Sequence, residues 1–486
     1  MGTITIVGLG PGDPCYLTRE AYGVLETAAD VWLRTRHHPT VAGFPPHVTL
    51  HSFDHLYEVA EDFQQVYGAI ADEVLRLGAR PEGVLYAVPG HPLVGEATVA
   101  EVLLRAEAVG LAVRVVEGVS FIEPTLTALR VDALSGLQIY DAIELAARHH
   151  PPLNPDLPAL VGQLYSRALA SDVKLTLMNQ YPDDHTVVLV RAAGTSGQDV
   201  VHVPLYDLDR QGDSKRWGEL AHLTTLYIPP LPVVSSFEGL QETVAHLRAP
   251  DGCPWDREQT HESLRTGLLE EAYEVLAAID VGDAQAVQEE LGDLLLQVLL
   301  HTQIATEEGD FKMAQVIAGI DAKLKHRHPH VWGTRSVEGT GEVLRRWEEL
   351  KREEKGKDRS VLDGVPAALP ALQQADTYSR RAARVGFDWA DANGVADKIR
   401  EEMSEVESAT TPEEQEAELG DLLFAVVNWG RWLGVDPETA LRQANARFGR
   451  RFRRMEQIAR ERGLDMVTLA IDELETLWQE AKLDGS

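Results

Sequence analysis

The sequence predicts a multidomain chain: an α/β domain first, then two tandem all-α modules. Three observations predict it. Strand-like and helix-like segments alternate up to about residue 228, and three strands end in glycine-bearing loops. From residue 236 onward strand signals vanish and helical periods take over. Inside this helical region a single carboxylate pattern is written twice.

The chain has 486 residues, too many for one ordinary domain, and 44% are hydrophobic, a globular value. The formal net charge is −32. That excess disfavours nucleic acid or an anionic membrane as partner. An anionic substrate then needs a metal and local basic groups. No run of 18 apolar residues is present to span a membrane. The opening Met-Gly-Thr-Ile-Thr-Ile-Val reads as a strand rather than a signal peptide. Two cysteines, Cys15 and Cys253, argue against a disulfide framework. The chain reads as cytoplasmic.

Residues 3–8 form the first strand, followed by Gly8-Leu9-Gly10-Pro11-Gly12-Asp13-Pro14. This is not a dinucleotide fingerprint, because Asp13 stands where its third glycine belongs. Thr18 caps a helix over 18–29, residues 31–33 form a second strand, and 57–78 a long helix. A third strand, 83–88, runs into Pro89-Gly90-His91-Pro92-Leu93. A helix over 95–109 leads to a fourth strand, 111–116, ending at Glu117-Gly118-Val119-Ser120-Phe121. Ligands of open parallel sheets bind outside the carboxyl ends of strands, where these loops lie. Tyr86 and Phe121 read as core. The Pro-rich segment 229–235 reads as a stiff linker.

Helices follow at about 236–248, 260–280, 284–306, 311–326 and 340–354. A polar break over 355–359, with Pro366 and Pro370, precedes helices at about 369–384, 392–409, 412–433, 436–461 and 467–482. The repeated pattern is Glu270-Glu271-Ala272-Tyr273-Glu274, 15 residues, then Glu290-Leu291-Gly292-Asp293. It returns as Glu401-Glu402-Met403-Ser404-Glu405, 12 residues, then Glu418-Leu419-Gly420-Asp421. Residues three apart share a helix face. Asp283 in one copy, and Thr411 with Pro412 in the other, start the second helix. Each copy is thus a helical hairpin gathering four acids: Glu271, Glu274, Glu290 and Asp293, then Glu402, Glu405, Glu418 and Asp421. Four carboxylates in one place repel unless a cation joins them, and all-oxygen ligands suit Mg²⁺ or Mn²⁺. Gly292 and Gly420, costly inside helices, predict close approach of a backbone or ligand.

This double pattern resembles the MazG family of all-α nucleoside triphosphate pyrophosphohydrolases, over about 235–486. Cys253-Pro254-Trp255-Asp256, Lys323-Leu324-Lys325-His326-Arg327-His328-Pro329-His330 and Trp347-Glu348-Glu349-Leu350-Lys351 carry the resemblance further. It implies hydrolysis of nucleoside triphosphates to monophosphate and pyrophosphate, with the eight acids holding the metal. Glu270 and Glu401 are candidates for orienting or deprotonating the water. Lys323, Arg327 and Lys351 are candidates to bind phosphate in the first module, with His328 beside them. Arg447, Arg450, Arg451 and Arg454 are the candidates in the second. Asn428, two turns after Asp421, is placed to hydrogen-bond substrate, and Trp255, Trp332 and Trp347 to stack on a base. The resemblance also implies a homodimer.

The trio GLGPGDP, AVPGHPLV and EGVSFIEPTLTAL resembles the tetrapyrrole methylase superfamily over about 1–228. It implies two α/β lobes, about 1–125 and 126–228, with S-adenosylmethionine between them. The second lobe would hold the apolar segments 137–140, 159–165, 174–178, 186–190, 200–203 and 223–228. Pro89, Gly90 and His91 would contact the cofactor, Gly118, Val119 and Ser120 would lie beside it, and Met178 would line the second-lobe side. The methyl acceptor is not legible. The whole chain reads as a methylase-like domain, a linker, and MazG-like modules at 236–360 and 366–486. The alternative is a regulatory protein that binds nucleotide and S-adenosylmethionine without turnover. Two complete carboxylate sets favour the enzyme.

Overall fold

The structure, a computed structural model, describes residues 2–59, 63–210, 220, 223–334, 336–355 and 360–483. The chain divides into two compact units, Met1–Gln315 and Val316–Ser486.

The first sheet contains β1 (Thr3–Gly8), β2 (Asp30–Leu33), β3 (Thr49–Ser52), β4 (Val84–Val88) and β5 (Ala112–Val116). All its pairings are parallel, in the order β3-β2-β4-β1-β5. Alternate residues of a strand point to opposite faces. Ile4 and Ile6 of β1, with Tyr86 and Val88 of β4, therefore enter one core, and Val7 and Ala87 enter the other. Helices α1 (Arg19–Thr27), α2 (Asp54–Val59), α3 (Phe63–Gly78) and α4 (Ala97–Ala108) accompany this sheet. Thr18 caps α1 as expected, its hydroxyl accepting from Ala21 N at 3.1 Å. One expectation changes. The strand β3 was not anticipated, since Thr-Leu-His-Ser is short and polar. The helix expected over 57–78 is described as α2 up to Val59 and as α3 from Phe63, with 60–62 outside the described residues.

The register sets Gly8 opposite Val88 and Val7 opposite Val116. The carboxyl ends of β1, β4 and β5 are thereby level and adjacent, so their loops meet along one edge.

After α5 (Ile122–Leu129) come β6 (Gln138–Asp141), α6 (Ala142–Ala146), β7 (Ala159–Gly162), α7 (Arg167–Leu177), β8 (Thr186–Arg191), β9 (Asp199–Pro204) and β10 (Thr224–Ile228). The second sheet has the order β6-β7-β10-β8-β9, with β6 and β7 parallel and the rest antiparallel. Five of the six expected apolar segments form this sheet. Residues 174–177 instead close α7, because Leu169, Ala170, Val173 and Leu177 recur at helical spacing and all are buried. The segment 229–235 is fastened rather than free-standing. Leu231 N donates to Pro155 O at 2.8 Å, and Ser235 N to the Asp156 carboxylate at 2.7 Å.

The rest is helical: α8 (Phe237–Arg248), α9 (Pro254–Arg257), α10 (Arg265–Val281), α11 (Ala284–Glu308), α12 (Met313–Arg327), α13 (Pro329–Trp332) and α14 (Thr340–Lys355). Then follow α15 (Ala371–Ala383), α16 (Ala392–Ser408), α17 (Pro412–Trp432), α18 (Pro437–Glu461) and α19 (Ile471–Leu483). Residues 356–359 of the expected polar break lie outside the described residues. The boundary between compact units falls within α12, so compactness and sequence character divide the chain differently. Among the described residues no helix is long and apolar enough to cross a membrane.

Candidate functional site

Hairpin one is α10 and α11. Gly282, at φ +76°, ends α10, and Asp283 Oδ1 accepts from Gln285 N and Ala286 N at 3.0 and 3.2 Å to start α11. The turn brings Glu271, Glu274 and Glu290 together, with one carboxylate oxygen from each within 4.8 Å of the others. Asp293 stands outside this trio, yet its charge reaches it. Partial burial and the charges of Asp293 and Glu274 push Glu271 above its ordinary value. Partial burial and the charges of Glu274 and Glu289 do the same to Glu290. A metal-free trio is therefore under repulsion that a cation would relieve. Glu270, on the neighbouring helix position, is exposed.

Hairpin two is α16 and α17. Thr411 caps α17 with Pro412 at the first turn, and Glu414 reaches back to complete a capping box. Glu402, Glu405 and Glu418 gather as their equivalents do, again within 4.8 Å. Asp421 is exposed and outside the trio. Glu402 is only 4% exposed, and its Oε2 is buried without a hydrogen-bond partner. Loss of hydration and the neighbouring Glu402 carboxylate raise Glu405 above its ordinary value. Both trios thus have the donor chemistry of a hard divalent cation site.

One residue at this place escaped the sequence reading. Lys398 Nζ lies 2.8 Å from Glu402 Oε1 and 3.0 Å from Glu401 Oε1. The signal was available as a lysine four residues before Glu402 on one helix. Glu401 is therefore held by an ammonium group. At Gly292 and Gly420 only the backbone half of the expectation changes. A Cβ on either would meet nothing within 4 Å, so no backbone of the described chain approaches them.

The candidate phosphate-binding residues of the first module, Lys323, Arg327 and Lys351, belong to the second compact unit. Two of them converge on Trp347: the Arg327 guanidinium lies 5.4 Å and the Lys351 ammonium 4.7 Å from its ring centroid. Lys323 is exposed. His328 Nδ1 lies 2.7 Å from Leu324 O, and its ring stands edge-on to Trp332. Trp255 is exposed. Asn428 Oδ1 accepts from Arg431 Nε at 2.9 Å, and Arg431 also pairs with Asp388, so that carbonyl is committed within the protein. Arg447 and Arg450 are exposed on α18, and Arg451 and Arg454 are half-buried.

In the α/β region the three loops touch. A Cβ on Gly118 would lie 2.3 Å from Gly90 O, and one on Gly8 would lie 2.6 Å from the same oxygen. Gly10 N donates to Gly90 O at 3.2 Å, and Gly90 N to Gly10 O at 2.8 Å. Gly90 has φ +65°, and its missing Cβ points into open space, as a cradle for a ligand requires. Pro89, His91 and Val119 are half-buried, and His91 Nδ1 accepts from Leu93 N at 3.1 Å. Ser120 is buried; its hydroxyl donates to Glu123 Oε2 at 2.6 Å and accepts from Ile122 N at 2.9 Å. That hydroxyl serves the start of α5. Met178 follows α7 and packs on the second-lobe core.

The two lobes meet beside these loops. Gln163, left-handed at φ +62°, donates from Nε2 to Gly95 O at 3.0 Å. The Phe121 ring fills the space where Gly162 lacks a side chain. Sequence reasoning missed two buried polar groups of the first lobe. Arg34 and Glu96 form an ion pair, with Tyr57 and Thr98 as hydrogen-bond partners. His38 is buried with neither ring nitrogen hydrogen-bonded. Burial pushes its imidazole down to about 4, against a weaker opposing effect of the Gly10 backbone.

The family model for tetrapyrrole (corrin/porphyrin) methylases matches residues 3–209, and that for the MazG nucleotide pyrophosphohydrolase domain matches 259–332. The phosphoribosyl-ATP pyrophosphohydrolase model matches 373–448, within the second repeat. The chain is 42% identical over 496 residues to the uncharacterized protein YabN of Bacillus subtilis, covering 99% of this chain and 98% of that one. It is 46% identical over 247 residues to the nucleoside triphosphate pyrophosphohydrolase/pyrophosphatase MazG of Thermotoga maritima, covering 51% of this chain and 95% of that one. A solved structure of uroporphyrin-III-C-methyltransferase from Thermus thermophilus is 21% identical, with a TM-score of 0.36, covering 47% of this chain and 92% of that one. With a methylase region and MazG-type helices on one chain, and a relative matched from end to end, the protein belongs to the tetrapyrrole methylase–MazG fusion family that includes YabN.

Proposed function

We propose that the helical region hydrolyses nucleoside triphosphates to monophosphate and pyrophosphate with Mg²⁺ or Mn²⁺, and that the α/β region binds S-adenosylmethionine for methyl transfer. The observation that carries the first reading is the gathering of three carboxylates, twice, by hairpins of the same construction. The T. maritima relative, named for this hydrolysis, supports it.

Glu271, Glu274 and Glu290 would hold the metal in hairpin one, with Asp293 adding charge beside them. Glu402, Glu405 and Glu418, with Asp421, are the corresponding set in hairpin two. When bound, the metal supplies charge neutralisation of phosphate oxygens and a more acidic water. The chain's own residues do the rest. Glu270 orients the attacking water and takes its proton. The water oxygen bonds to the α-phosphorus as the bond to the bridging oxygen breaks and pyrophosphate leaves. Arg327 and Lys351, which meet on Trp347, and Lys323, all in the second compact unit, are the candidates of the first module to neutralise phosphate charge. Arg447 and Arg451 are the corresponding candidates on α18. Glu401 is the weaker candidate base, because Lys398 holds its carboxylate.

In the α/β region Pro89, Gly90, His91, Gly118 and Val119 present backbone at the meeting of β1, β4 and β5. Bound S-adenosylmethionine supplies an electrophilic methyl group, so an electron-rich acceptor needs no acid or base from the protein. The exposed apolar residues Leu269, Tyr273, Leu291 and Leu295 on hairpin one support assembly as a homodimer.

The test is pyrophosphate release from a panel of canonical and modified nucleoside triphosphates, with Mg²⁺ or with chelator. Release that needs the metal and gives the monophosphate is expected. Glu271→Gln with Glu402→Gln should lower it at least about a hundredfold. Release by folded protein that persists in that double variant would overturn the site. No release from any substrate would leave the regulatory binding reading.

A further inference from the structure

We propose that Gln163 is a positioning residue for the cofactor: its side chain clasps the second lobe onto the loop between β4 and α4 and so keeps closed the cleft read above as the S-adenosylmethionine site. The inference rests on that reading and adds what holds the two lobes over the ligand.

The backbone marks the residue first. Among the described residues only Arg130, Gln163 and Ala192 stand at positive φ without being glycine. Arg130 ends α5 as its C-cap, where a left-handed residue is ordinary. Gln163 follows a strand instead, at φ +62° directly after Gly162 of β7. Tyr165 N donates to Gln163 O at 2.9 Å and Leu164 N to Thr224 O at 3.2 Å, so the chain makes one tight turn and rejoins β10. A left-handed backbone disfavours a residue with a Cβ, and glycine would relax it. Strain of this kind persists where the surrounding structure uses it. Here the use is the amide: Nε2 donates to Gly95 O at 3.0 Å, across 68 positions. Gly95 is shaped for the same contact. It has φ +71°, and a Cβ there would lie 3.1 Å from Gln163 Nε2.

The loop from Pro89 to Glu96 is tied at both ends to its own lobe. Gly90 exchanges two hydrogen bonds with Gly10, and Glu96 pairs with Arg34. Gln163 ties it from the second lobe, at the residue before Glu96. One position earlier, Gly162 receives the Phe121 ring, 2.9 Å from where a Cβ would stand. Phe121 closes the loop that follows β5. Two consecutive residues of the second lobe thus meet the two loops assigned to the cofactor. The Phe121 contact is apolar and non-directional. The Gln163 bond is directional, and it is lost once the lobes part by about 1 Å. A ligand lying between the lobes leaves only when they part. One neutral hydrogen bond amounts to roughly a fivefold change in an equilibrium, so Gln163 slows release of the cofactor by about that factor. It acts through Gly95 and the loop.

Release of labelled S-adenosylmethionine from the full chain, chased with unlabelled cofactor, tests this beside the melting temperature of the ligand-free protein. Gln163→Leu keeps the bulk and removes the amide. Gln163→Gly removes the amide and relaxes the turn. Both should release the cofactor roughly fivefold faster than the wild type. Gln163→Gly should nevertheless melt within about 2 °C of it, because relief of the turn offsets the freer unfolded chain. A merely structural residue would not give that split, since its loss weakens binding only as it weakens the fold. Release at the wild-type rate in both variants would overturn the clasp. Wild-type release in Gln163→Gly alone would do the same by showing the amide dispensable, and that variant decides the matter if Gln163→Leu fails to fold. A wild type that binds no S-adenosylmethionine would overturn the reading on which the clasp rests.

Discussion

Arg34 and Glu96 form an ion pair inside the first lobe, between the residue after β2 and the residue that opens α4. Burial works against the charge on Arg34, and the Glu96 carboxylate more than offsets it, holding the guanidinium above its ordinary value. Glu96 also accepts from Thr98, which meets Tyr86 at 2.9 Å. The pair thus anchors the end of the loop that begins with Pro89 and Gly90. Removing one partner of a buried pair leaves the other charge uncompensated. Glu96→Ala should destabilise the α/β region by about 3 kcal/mol. Denaturant unfolding followed by a signal from that region will check it, and a loss within error would show the pair to be dispensable.

Gly118 permits a contact that no other residue allows. Its α-carbon faces Gly90 O, and a Cβ would sit 2.3 Å from that oxygen. Both are backbone, so neither can swing aside. Gly118→Ala should push the β4 and β5 loops apart and abolish S-adenosylmethionine binding, measured by calorimetry, while the helical region keeps its hydrolysis. Undiminished binding would place the cofactor elsewhere.

His38 makes the stability of the first lobe depend on pH. Its folded value, about 4, lies below the ordinary 6.5. The unfolded chain therefore binds the proton more readily, so the contribution is fully present above about 6.5 and is lost as pH falls toward 4. The full loss is on the order of 3 kcal/mol. Melting of wild type and His38→Leu between pH 7 and 4.5 should show a steeper fall for the wild type; parallel curves would exclude this histidine as the cause.

Glu290 should be a liability without metal. It sits in a trio of like charges, and its removal relieves repulsion. Glu290→Gln should raise the melting temperature of metal-free protein by about 1–2 °C. It should also lose most of the upshift that Mg²⁺ gives the wild type. A variant that melts lower without metal and gains as much from Mg²⁺ would contradict the placement.

The helical hairpins were legible because their signals are local. Thr18, Asp283 and Thr411 cap the helices they were expected to cap, since a cap involves only the next three residues. Three of the four acids expected to gather in each hairpin were legible for the same reason, as a fixed spacing on each of two helices joined by a short turn, while Asp293 and Asp421 stand outside the trios. What was missed depends on a distant partner: the strand β3 exists because β2 supplies its edge. Gly292 and Gly420 were read as places of close approach by a backbone or a ligand; no atom of the described residues stands within 4 Å of a Cβ there, which removes the backbone and leaves room for the ligand.

The sequence by itself determined the class of each half, the twice-written acid pattern and the glycine loops, because these rest on periodicity, caps and short spacings. Only the tertiary structure decided which groups share a place. It closed Gly8, Gly90 and Gly118 on one another through the register of three parallel strands. It set Arg34 against Glu96 across 62 positions, and Gln297 against Gly267 across a helical hairpin. The physical reason is that burial and charge act through space, and chain separation sets neither.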